Sequence, residues 1–146
     1  MKNLILSLLL VVFAAASSPL KAQATDAHEM LKKHINSIVE QVEETESPEK
    51  KREILDSSLS EITEALDKVA EKSAVSGQDK NNLDSFKKLL TEKQDELNGV
   101  NGYEPVGNNQ LDDFADYVQQ DIEQADSVVT ISVTTALLII IILLLL

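Results

Sequence analysis

The chain has 146 residues with 13 basic and 25 acidic side chains, a net charge of −12, and no cysteine. Such an acidic surface repels nucleic acid and anionic headgroups, and without cysteine there is no disulfide, thiolate metal site or lipid-modified N-terminal thiol.

Residues 1–24 have the three parts of a secretory signal. Lys2 supplies the positive start, Leu4 to Ala16 an apolar run, and Ala22 and Ala24 the small residues before a cut after Ala24. Pro19 would end the apolar helix just ahead of that site. The run is too short to span a bilayer comfortably. Removing it takes Lys2 and Lys21 and no acid, leaving 11 basic residues against 25 acidic ones, a charge of −14.

The mature body then reads as helices in succession. Leu31, Ile35, Ile38 and Val42 repeat at four- and three-residue steps, predicting a helix over about 26–43, with Asp26 and Glu29 spaced as a capping box. Ser47-Pro48 is a helix start, serine capping and proline losing no bond in the first turn. The second helix runs to about Lys72 along Leu55, Leu59, Ile62, Leu66 and Val69, with Glu64 and Lys68 paired on its outer face. Ser73 to Gln78 reads as a loop around Gly77. A third helix, about 79–97, carries Leu83, Phe86, Leu90 and Leu97; Lys93 falls where the repeat wants an apolar residue, so looser packing is expected there. Asn98-Gly99 ends it, both tolerating a left-handed cap, and residues 98–109 form turns throughout. A fourth helix begins near Asn109 and places Leu111, Phe114, Val118, Ile122 and Ala125 on one stripe.

Val128 to Leu146 is uncharged for 19 residues and ends in ten consecutive Leu or Ile. As a helix it would measure about 28 Å, near the hydrocarbon thickness of a bilayer. With no Pro or Gly before it, one rod from about Gln110 into the membrane is expected, with Val128, Ile131, Leu137 and Leu146 among the anchoring residues. The basic residues stop at Lys93, so the usual cationic flank is missing. An alternative is exchange of the tail for a lipid (GPI-type) anchor at Ala125-Asp126-Ser127, which the terminal leucines suit. The bacterial look of the signal and the missing Asn-x-Ser/Thr sequon oppose it.

Little in the chain suggests chemistry, and no catalytic residue, cofactor or metal is expected. His28 and His34 point about 240° apart on a helix and cannot chelate one ion from one face. Asp112, Asp113 and Asp116 lack the glycine and terminal glutamate of a calcium loop, so a solvated face is the better reading. The glycines of 98–109 come without a phosphate-binding lysine. Tyr103 in that loop is the one candidate partner contact.

The expectation is an all-α protein: a small antiparallel three- or four-helix bundle, coiled-coil-like, with a C-terminal transmembrane helix. The chain divides into a cleaved signal (1–24), a helical hairpin or bundle (25–97), a flexible loop (98–109), an acidic membrane-proximal helix (110–127) and the membrane segment (128–146). Its expected role is a non-catalytic, exported, membrane-tethered interaction or spacer protein, single-pass in the plasma (inner) membrane with its body on the periplasmic or extracellular side. Its partners would be lipid through the tail, and a protein partner or a second copy through the helical stripes. The remaining alternative is an accessory or regulatory subunit of a membrane enzyme or transporter, with Thr130, Ser132, Thr134 and Thr135 bonding to neighbouring helices.

Overall fold

The computed structural model describes residues 20–72, 74–128 and 132–146. Among them are five α-helices and no strand: α1 (Leu20–Glu44), α2 (Pro48–Ala70), α3 (Gly77–Asn98), α4 (Leu111–Val128) and α5 (Val133–Leu145), with a single 3-10 turn, Asn108–Gln110, ahead of α4. The all-helical bundle expected from the stripes is present.

Local sequence sets the boundaries. Ser47 caps α2 by accepting from the Lys50 N–H at 3.4 Å, with Pro48 in the first turn. Ser76 does the same for α3, accepting from the Asp79 N–H at 3.1 Å, so the helix starts at Gly77 rather than beyond it. At the other end of α3, Gly99 takes a left-handed φ of 68° and the Val100 N–H reaches back to the Asp95 carbonyl at 3.0 Å, the six-residue closure of a Schellman cap. A Cβ on Gly99 would lie 2.5 Å from the Pro105 nitrogen, so the turn excludes any side chain there.

The helices pack antiparallel. Lys32 meets Glu123 at 3.5 Å and Gln119 donates to Asn36 at 2.6 Å, which runs α4 against α1. Asp67 pairs with Lys87 while Asp56 accepts from Gln94 and Asn98, which runs α3 against α2. The core follows the expected stripes through Leu31, Ile35, Val42, Leu55, Leu59, Ile62, Leu66, Leu83, Phe86, Leu90, Leu97, Leu111, Phe114 and Ile122. On α1, Val39 is buried and Ile38 only half so, a small rotation of the stripe. The residue 98–109 segment is tied down by Arg52, whose guanidinium donates to the carbonyls of Leu97 and Val106.

Two expectations are corrected. Lys93 does not loosen the bundle: it is 2 % exposed and fully partnered. The rod from Gln110 is not continuous either. α4 ends at Val128, and a new helix starts at Val133, with Ser132 in extended backbone (φ −64°, ψ 153°) capping it. α5 turns onto the body and packs against α1 and α2. It has 13 residues, about 20 Å of rise against roughly 30 Å of hydrocarbon. Among the described residues, no helix is long and apolar enough to cross a membrane.

Candidate functional site

Among the described residues no three His, Cys, Asp or Glu side chains gather around a common point. Asp112 pairs with Lys51, and Asp113 and Asp116 are exposed on α4, as a solvated face requires. His34 is half-buried beside a shallow surface groove between α1 and α2 that Ile38, Gln41, Glu53 and Ile54 also line. The His28 side chain lies outside the described residues. Tyr103 is 39 % exposed, and its hydroxyl donates to Glu92 at 3.2 Å. That bond to a carboxylate holds the phenol above its ordinary value. The loop tyrosine thus leans on α3 while leaving part of its ring to solvent.

Two buried charges, both on α3, are the chemically distinctive features. The Lys93 ammonium donates to the Tyr117 hydroxyl at 2.7 Å, pairs with Asp121 at 2.9 Å and Glu96 at 3.3 Å, and lies 4.0 Å from the centre of the Tyr117 ring. Burial works against its charge, but the bonds to Tyr117 and Asp121 and the field of Glu96 and Asp121 outweigh it and hold the pKa above the usual lysine range. An ammonium so firmly protonated is a poor nucleophile or base. Its role is to fasten α3 to α4.

Asp79, 6 % exposed, is the other. It stands in the first turn of α3, where the N–H ends of the helix favour an anion. Its carboxylate also accepts from α5: from the Ser132 hydroxyl at 2.5 Å, the Thr135 hydroxyl at 2.7 Å and, longer, the Ser132 N–H at 3.4 Å. Burial pushes the carboxyl up, yet the Ser132 and Thr135 bonds prevail and its pKa lies below the ordinary 3.8. Ser132 meanwhile accepts from the Thr135 N–H at 3.4 Å, so one serine caps α5 and offers its own proton to Asp79. The starts of α3 and α5 are therefore joined through a single carboxylate. Periodicity points to neither Asp79 nor Tyr117. Their partners lie 53 and 24 residues away along the chain, and only the acid three places after Ser76, a capping spacing, hints that Asp79 has a structural task.

Beyond this junction α5 is apolar all round. Thr135, Ala136, Ile139 and Ile140 are buried against the body, and Leu137 is half-buried. Ile141 and Leu146 are about half exposed, and Leu144 and Leu145 reach 75 % and 78 %. Of the expected anchor residues, Leu137 and Leu146 are thus placed. Ile131 and the Val128 side chain lie outside the described residues, as do residues 1–19 and the side chains of Ala22 and Ala24, whose backbone belongs to α1. The candidate site is accordingly the terminal helix, with a polar clasp at its start and a bare leucine tip at its end. No protein-family model, curated protein or solved structure matches the chain.

Proposed function

We propose that the protein is a non-catalytic helical interaction or spacer module, exported by its first 24 residues and tethered to the outer face of the plasma membrane by residues 128–146. The observation that carries this reading is the tip of α5, where Leu144, Leu145 and Leu146 face outward from an otherwise polar, acidic body. Contiguous exposed leucine at a chain end is unfavourable in water, and burying three such side chains in hydrocarbon contributes on the order of 5 kcal/mol. The acidic face keeps the body soluble and off anionic headgroups. In the spanning form the segment runs as one helix from Val128, about 28 Å, which matches the bilayer interior.

Flotation with phosphatidylcholine vesicles tests the tether. The full chain is expected to rise with the vesicles, and the variant Leu144→Ser/Leu145→Ser/Leu146→Ser to stay at the bottom. A full-length chain that remains monomeric in detergent-free buffer and ignores vesicles would refute the tether. Exchange of the tail for a lipid anchor is distinguished by the mass of the mature protein, since an intact Leu146 excludes it.

A further inference from the structure

The docked helix and the spanning helix cannot coexist. In the docked form Ser132 has ψ 153° and serves as the N-cap of α5. A helix continuous from Val128 needs the same residue at a helical ψ of about −42°. Ser132 therefore sits at a two-position joint, and what holds the joint in the docked position is Asp79. Three bonds from Ser132 and Thr135 converge on that carboxylate, and Thr135 is wholly buried beneath it. Once Ser132 turns into a helix its hydroxyl and N–H leave Asp79, and the carboxylate returns to serving α3 alone.

We infer that Asp79, Ser132 and Thr135 form a latch that stores the terminal segment against α1 and α2 and must open before residues 128–146 enter a bilayer. This rests on the tether proposed above and adds its regulation. The docked state shields the buried face of α5, Ala136, Ile139 and Ile140, while the free state offers the whole apolar segment. The leucine tip stays outward in the docked state, so first contact with lipid needs no opening, whereas full insertion does. The bonds that close the latch are hydroxyl-to-carboxylate bonds on the protein itself. Undocking also uncovers the apolar seat on α1 and α2, so that contact favours the docked state together with the latch, while the helix itself exchanges one apolar surround for another.

The test is the time course with which the full chain becomes resistant to carbonate extraction from phosphatidylcholine vesicles. Association here means this inserted form, because contact through the leucine tip alone leaves the latch closed. Asp79→Asn and, separately, Ser132→Ala/Thr135→Val are expected to quicken association at least fivefold over the unaltered chain, with helix content by circular dichroism retained. The second variant leaves Ser76 and the start of α3 untouched, so it decides the matter if Asp79→Asn loses helicity. Equal rates for the unaltered chain and Ser132→Ala/Thr135→Val overturn the latch and leave the tether standing. Absence of association for every chain overturns the tether, and the latch with it. Fast association that survives Leu144→Ser/Leu145→Ser/Leu146→Ser in the Asp79→Asn background also overturns the latch, because a loosened bundle rather than α5 would then be meeting lipid.

Discussion

Toward its C-terminal end α3 buries an ammonium among two carboxylates and a phenol; at its N-terminal end it buries a carboxylate whose partners are hydroxyls and a main-chain N–H. Lys93 is held by opposite charge from its own helix and from α4, so opening that contact strands an ion away from its counter-charges. Asp79 is held by neutral donors that water can replace one for one. The first arrangement fixes a helix in place. The second is satisfied when closed and inexpensive to open, because the exposed carboxylate recovers full hydration.

Removing the ammonium should do the most damage. Lys93→Ala is expected to cost about 3 kcal/mol in urea unfolding, through the lost ion pairs and the space left by the stem. Lys93→Met, which keeps most of that stem, should recover part of the loss. Gly99→Ala comes next, at about 2 kcal/mol, because it combines a left-handed backbone with a Cβ driven against Pro105. The same measurement after Gly77→Ala should show no loss, since that position has open space around its Cβ. Thr135→Val keeps the shape and removes one latch bond. It should speed amide exchange in α5 by about fivefold, equivalent to about 1 kcal/mol, and leave the unfolding midpoint of the bundle nearly unmoved. A large drop in the midpoint would show that α5 is part of the cooperative core and dissolve the contrast between the two ends.

The smallest effect is the response to pH. The Asp79 carboxyl has a folded pKa below its unfolded value of 3.8, so its contribution is complete above that value and fades as pH falls through the folded pKa. Lys93 behaves in the opposite sense. Its folded pKa lies above 10.5, so its contribution is complete below 10.5 and is lost only in stronger alkali. Between pH 6 and 9 neither group should alter stability. Below about pH 4, α5 exchange should accelerate in the unaltered chain and lose that component in Asp79→Asn.

The stripes were readable because periodicity reports on a helix's own face. Leu55, Leu59, Ile62, Leu66 and Val69 are all buried where spacing put them, and Ser47-Pro48 and Gly99 punctuate the chain as their local chemistry requires. The failures share one cause. Lys93 reads as a defect in its stripe because Tyr117 and Asp121 stand on another helix. The break before α5 escapes notice because neither Pro nor Gly marks it: the cap is a serine inside an apolar run, stabilised by an aspartate 53 residues earlier. For the candidate site, composition reveals the apolar segment, whereas its docking and its clasp depend on contacts that no local window contains.

The cations that hold α4 come from all three preceding helices: Lys32 of α1, Lys51 of α2 and Lys93 of α3, set against Glu123, Asp112 and Asp121. α4 has no basic residue of its own. It is thus complementary to the rest of the body and repelled by copies of itself. A synthetic peptide of residues 111–128 should consequently find a chain that ends at residue 110 and restore its helicity, yet stay single in solution, with added salt weakening the reunion.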